Sequence, residues 1–185
     1  MSNQPQRHHT DDRPMTKASN FPMRRLTMPV PDVRGFQRRY EAAVPDVPAD
    51  KVDALLQRGA PWSEMIALVE ASAPHGFIFY EKHDVHPLFK GAGDAADCLF
   101  YLMGNHILAE RMFRHDPRVM LYAPLRTIIW EDAAGAAWFT VDQPSRQFGS
   151  FGIPEITEVG LELDRKLAAL LEALDVDPPP ELRQS

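Results

Sequence analysis

From Pro154 to about Leu174 the apolar residues Ile156, Val159, Leu163, Leu167, Leu170 and Leu174 recur at intervals of three and four. That period lays one apolar stripe along a long helix opened by proline, and such a stripe has to be covered by another layer of the fold. The preceding segments supply the cover. The runs "GFIFYEK", "DCLFYLM", "VMLYAPLRTIIWED" and "AAWFTV" are short, rich in aromatic and aliphatic residues, and divided by Gly, Pro and Asp, which is the pattern of β-strands. The last two face each other across "EDAAGA", where Gly135 can take the positive backbone angle of a hairpin turn, so this pair is antiparallel. Between the last strand and the long helix, "QPSRQFGSFG" reads as a loop.

The N-terminal half follows a different period. After a short alternating strand in "RRLTMPV", Asp32 is placed to cap a helix through "VRGFQRRYEAAV" whose Phe36, Tyr40 and Val44 share a face. Pro45 and Pro48 end it. Asp50 reads as the cap of a second helix in "KVDALLQRG", stopped by Gly59, and Pro61 opens a third in "WSEMIALVEASA". The expected architecture is α+β: a two-layer domain with a mainly antiparallel sheet of about four to five strands packed by helices, plus an added N-terminal helical segment. The domain is expected over residues 23–175, its helical N-terminal part at about 33–73. Residues 1–22 read as a disordered leader, in which His8 and His9 are solvated, and the proline-rich residues 176–185 as a frayed tail.

A chain of 185 residues with 44% hydrophobic content suits a single domain. No apolar run approaches the roughly 20 residues needed to cross a bilayer, and the first residues lack the apolar stretch of a signal peptide, so a cytoplasmic protein with no membrane partner is expected. A net charge of -6 gives no general attraction for phosphate backbones, which argues against nucleic acid as a partner. The lone Cys98 excludes an intramolecular disulfide framework and a thiolate cluster; inside "CLFYLM" it reads as a core residue.

The densest set of chemically capable side chains lies in "FYLMGNHILAERMFRHDPRVMLYAPLR", residues 100–126. With a helix starting near His106, Glu110 falls four residues on and shares its face, a spacing suited to a metal or to a carboxylate orienting an imidazole, and equally to a plain helix hydrogen bond. His83 and His86 in "KHDVH" join this pair if their loop lies at the same end of the sheet, and His115 is a further ligand type nearby. Haem is an alternative: His106 or His115 as axial ligand, Met103, Met112, Phe100, Phe113, Tyr101 and Tyr122 as lining, and Arg111 or Arg114 for the propionates. A third reading is an anion at the turn of Gly104 and Asn105, helped by Arg111 or Arg126, against which Asn105 is itself a good N-cap. Ser145 and Ser150 near Asp142 lack a GxSxG elbow, and Gly149 and Gly152 lack a phosphate fingerprint. Arg24, Arg25, Arg38 and Arg39 read as solvated charges.

The stretch "FYLMGNHILAERMFRHDPRVMLYAPLRTIIWEDAAGAAWFTVDQPS" resembles the signature region of the domain of unknown function 302 family. The resemblance is carried by Gly104 and Asn105, the helix from Ile107, the strand start at Ala123, Pro124, Leu125 and Arg126, the hairpin acids Glu131 and Asp132, and Asp142, Pro144 and Ser145; it extends over about residues 62–174. It implies a compact α+β fold, a homodimer, and no agreed activity. Two departures stand out: His106 replaces the proline common after Gly-Asn, and a helical segment at about 33–59 is added. The leading expectation is a small-molecule ligand held by Asn105, His106, Glu110 and Arg111. A metal- or haem-dependent enzyme using His106 and His115 or His83 and His86, with a divalent metal or haem as cofactor, and a purely structural or partner-binding module are the alternatives.

Overall fold

Along β1 (Arg25–Val30), Leu26, Met28 and Val30 are buried while the residues between them are exposed, the period-two pattern of a strand packed on one side. The computed structural model to which this strand belongs describes residues 17–183 except residue 95. The expected leader therefore falls largely outside the described residues; residues 17–24 are exposed and carry no helix or strand.

The Asp32 carboxylate accepts from the backbone N–H of Gly35 and caps α1 (Val33–Ala43), whose Phe36 and Tyr40 are fully buried, as is Val44 just beyond it. Helix α2 (Ala49–Gln57) begins one residue before Asp50, with Pro48 in the cap position. Asp50 thus sits in the first turn, where its charge complements the helix dipole, and does not cap. None of the residues of α2 is buried, and it packs on α3 (Trp62–Ser72).

The remaining elements are β2 (Ile78–Asp84), α4 (His86–Lys90), β3 (Cys98–Gly104), α5 (His106–Phe113), a 3-10 turn (Pro117–Leu121), β4 (Leu125–Glu131), β5 (Ala137–Asp142), α6 (Pro144–Gly149), α7 (Pro154–Ala173) and α8 (Pro180–Arg183). The sheet runs β1-β5-β4-β3-β2 and every neighbouring pair is antiparallel. Gly135, at a φ of 80°, closes the β4–β5 hairpin. The register stacks Met28 on Phe139, Ile129 on Phe139 and Tyr101 on Thr127, so one face of the sheet is buried along most of β1, β5, β4 and β3, while Lys82 of the edge strand β2, opposite Tyr101, is exposed. This face shares one apolar core with α1, α5 and the stripe of α7. On the other face Phe100, Leu102, Ile128, Trp130 and Trp138 are half-buried.

Four expectations are corrected. Residues Val119–Leu121 are not strand: Asp116 accepts from the N–H of Arg118 and Pro117 opens a 3-10 turn, local signals that outweigh the β-propensity of "VMLY". The presumed loop after β5 contains α6, held by Asp164 of α7, which accepts from the backbone N–H of Ser145 and from Gln143 Nε2. Residues 176–183 of the tail pack instead of fraying, since Val176 and Leu182 are buried. Cys98 is half-buried on the outer face, because alternation sends Leu99 and Tyr101 inward, and burial pushes its thiol pKa up. Among the described residues no helix is long and apolar enough to cross a membrane.

Candidate functional site

The turn from β3 into α5 is built by Gly104 and Asn105. The side-chain oxygen of Asn105 accepts from the N–H groups of Ile107 and Leu108, at 2.9 and 3.3 Å, and its Nδ2 donates to the carbonyl of Gly76 at 3.0 Å. Both ends of that amide therefore position α5, which is the capping role, and one N–H of Nδ2 remains beyond these bonds. His106 follows as the first helical residue.

Opposite this turn, the β2–β3 register shifts between Phe79 and Glu81, and the extra residue is Tyr80. Bulges of this kind re-aim a side chain. Here the Tyr80 ring lies against Gly104, where a Cβ would stand 3.3 Å from both Tyr80 Cε2 and Pro124 Cβ. The ring also meets His106 edge-on, with centroids 5.1 Å apart. The glycine is what lets three groups close on one point.

Beneath them is a cavity of about 200 Å³. Leu108, Ala109 and Met112 of α5 form one wall, Pro124 and Leu125 another, and Phe148 of α6 with Leu163 of α7 the rest. Met120 of the 3-10 turn is 51% exposed and stands at the mouth. His106 Nδ1 is buried and has no hydrogen-bond partner. Burial holds the imidazole pKa below its ordinary 6.5 and pushes the Tyr80 phenol well above 10.0, so both are neutral at pH 7. Among the described residues no charged side chain lines the cavity.

The other expected site residues lie elsewhere. Glu110 pairs with Arg114 one turn along α5, and Arg111 reaches Glu162 on α7 at 2.7 Å; neither lines the cavity. The histidines do not converge, because β2 and β3 are antiparallel: His83 pairs with Phe100, four residues before Gly104. At about 3.3 Å per residue that is roughly 13 Å of strand. His83 stacks on Phe100 and lies 3.0 Å from Glu81, His86 Nδ1 lies 3.1 Å from the Ala96 carbonyl and 3.4 Å from Asp97, and His115 is exposed. Among the described residues no group of three or more His, Cys, Asp or Glu side chains is arranged to hold a metal ion.

The expected haem lining is dispersed in the same way. Tyr101 and Met103 face the core under α1, Phe113 is 47% exposed, and Tyr122 packs on Phe148 and Phe151. The cavity itself is smaller than the roughly 300–1,000 Å³ that encloses a drug-sized ligand. Ser150 is spent on the Gln147 carbonyl. Three wall residues lie outside the stretch 100–126 and escaped the sequence reading: Tyr80 looked like an ordinary strand residue, since a bulge leaves no local mark, and Phe148 and Leu163 belong to a packing of α6 on α7 that only tertiary contacts reveal.

The sequence matches the family described as Domain of unknown function DUF302 over residues 60–174, well over half of the chain, and every residue lining the cavity lies inside that span. Among curated proteins none matches the chain. The fold is similar to the crystal structure of an uncharacterized conserved protein DUF302 from Bacillus stearothermophilus, at a TM-score of 0.56 and 14% identity, covering 82% of this chain and 97% of that one. This likeness bears on the fold alone. On the sequence match, the chain belongs to the DUF302 family.

Proposed function

We propose that the protein binds a small, uncharged and mainly apolar molecule in the cavity between the β3–α5 turn, α5, α6 and α7, with His106 as its polar anchor. The observation that carries this reading is the His106 imidazole on the wall of a mainly apolar cavity, with its Nδ1 buried and unpartnered behind that wall. A buried polar group without a partner costs free energy, so a fold that keeps one beside an open volume is expected to use it. Gly104, Asn105 and Tyr80 position the imidazole, and Glu110 and Arg111 have no direct part.

The test is ligand-induced stabilisation of the full chain across a set of neutral fragments of one ring or less, with Ala109→Leu as the control that fills the cavity. Stabilising fragments should lose their effect in Ala109→Leu. A fragment that stabilises both proteins equally binds elsewhere and would defeat the proposal. The family resemblance further supports a homodimer, which light scattering on the full chain reads directly; a monomer at all concentrations would dismiss it.

A further inference from the structure

Three properties of the cavity narrow what it takes. The first is size: about 200 Å³ is slightly more than the roughly 150 Å³ apolar cavity known to hold one benzene molecule. A single ring fits, and a fused or drug-sized system does not. The walls suit a ring as well, since Phe148 and Tyr80 offer aromatic edges and Met112 and Met120 offer polarizable sulfur. A flexible chain of equal volume would forfeit torsional freedom on entry that a ring does not possess.

The second property is charge. With no cation or anion on the wall, a carboxylate or an ammonium group would be buried without a counter-ion. The nearest candidates are engaged outside the cavity, Arg111 with Glu162 and Glu110 with Arg114.

The third is the short polar lining, in which the His106 imidazole stands beside the Tyr80 phenol and the Asn105 amide. The neutral His106 ring carries one lone pair and one N–H, and either tautomer is open to it. A hydroxyl both donates and accepts, and so satisfies either tautomer. An ether or ketone satisfies one.

We infer that the occupant is a monocyclic hydroxyarene, a phenol by chemical class, whose ring fills the apolar cavity and whose hydroxyl meets the His106 imidazole; this rests on the cavity being the binding site. The hydroxyl sits at the Tyr80 and His106 end and the ring points toward Leu163 and Phe148.

The experiment is calorimetric titration of the full chain with phenol, toluene and benzoate, on the wild type, His106→Phe and Ala109→Leu. Phenol is expected to bind about two- to tenfold more tightly than toluene, the range set by one net hydrogen bond. Benzoate is expected not to bind. His106→Phe should erase the preference for phenol while keeping toluene binding, and Ala109→Leu should abolish both. If toluene binds as tightly as phenol, or His106→Phe leaves the preference intact, the hydroxyarene assignment is overturned while the cavity remains the binding site. Tighter binding of benzoate overturns the assignment through the charge argument. If neither phenol nor toluene binds, the assignment and the cavity reading fall together.

Discussion

Tyr80 meets His106 edge-on, their ring centroids 5.1 Å apart and their planes inclined at 72°. The contact joins the bulge of β2 to the first residue of α5, and it places two neutral titratable groups on one wall of an apolar cavity. Nothing pairs with His106 Nδ1 there. The arrangement stabilises the fold less than an apolar ring would, and that deficit is measurable.

His106→Phe is expected to stabilise the unliganded protein by up to about 1 kcal/mol, because it removes a buried unpartnered nitrogen and keeps a ring against Tyr80. In a chain of this size that is a rise in Tm of roughly 2–4 °C. The gain should also depend on pH. Burial lowers the folded-state pKa of His106 below 6.5, so below that value the unfolded chain binds the proton more readily and the wild type loses stability as pH falls. The variant has no such loss. Thermal melts at pH 7.5 and pH 5 should therefore show a wider gap at pH 5, and a gap that stays constant would mean that the imidazole is not desolvated in the folded state.

A buried hydroxyl pair offers a second measurement. Tyr40 donates to Met103 Sδ at 2.9 Å and lies 3.0 Å from Thr127 Oγ1, all three in the core. Tyr40→Phe leaves the Thr127 hydroxyl buried without a partner and should cost about 1–2 kcal/mol. Adding Thr127→Val should recover part of that loss, since the orphaned group is then gone. Denaturant titrations of both single variants and the double variant give the coupling, and strict additivity would show that the pair does not interact.

Much of the scaffold was legible in the sequence because its signals are local. Asp32 capping α1, the buried trio Phe36, Tyr40 and Val44, Gly135 in the hairpin and the stripe of α7 all follow from spacing within one element. Asn105 as the cap of α5 and the helix start at His106 were legible for the same reason. Glu110 and Arg111 were grouped with them by helical spacing, but spacing does not reveal that Arg114 and Glu162 engage them. The histidines failed to converge for a topological reason: antiparallel pairing sends the end of β2 away from the end of β3, and no local pattern in "KHDVH" encodes which way its strand pairs.

The ion pair that holds Arg111 provides a control. The Arg111 side chain is 40% exposed and that of Glu162 29% exposed, so Arg111→Ala should cost no more than about 1 kcal/mol. Stabilisation by any cavity ligand should be unchanged in this variant. Loss of ligand response with an intact Tm would return Arg111 to the site and contradict the geometry.

The approach of α6 to α7 is set by Gly160, where a Cβ would stand 3.0 Å from Ser145 Cα and 3.2 Å from Phe148 Cβ. Gly160→Ala gains helix propensity of about 1 kcal/mol but drives a methyl into backbone, a change that typically costs about 1–3 kcal/mol. The expected net effect is destabilisation, with Phe148 displaced from the cavity wall. A calorimetric melt reads the first effect and loss of ligand-induced stabilisation the second; an unchanged or higher Tm would mean that the two helices separate freely.

Asp164 is fully buried on α7 and ties that helix to the chain leaving β5. Its carboxylate accepts from Gln143 Nε2 at 2.8 Å and from the Ser145 N–H at 2.9 Å, and Gln143 Nε2 also donates to the Glu181 carbonyl at 3.0 Å. One acidic side chain thereby fixes the start of α6 and, through Gln143, the docking of α8. Asp164→Ala strands two buried donors at once, at about 1–3 kcal/mol for each. The expected loss of several kcal/mol is a large share of the stability of a domain. Asp164→Asn keeps the shape and one carbonyl acceptor, so its cost should be smaller. Denaturant midpoints for the two variants test this ordering; equal losses would show that the negative charge matters and the hydrogen-bond geometry does not.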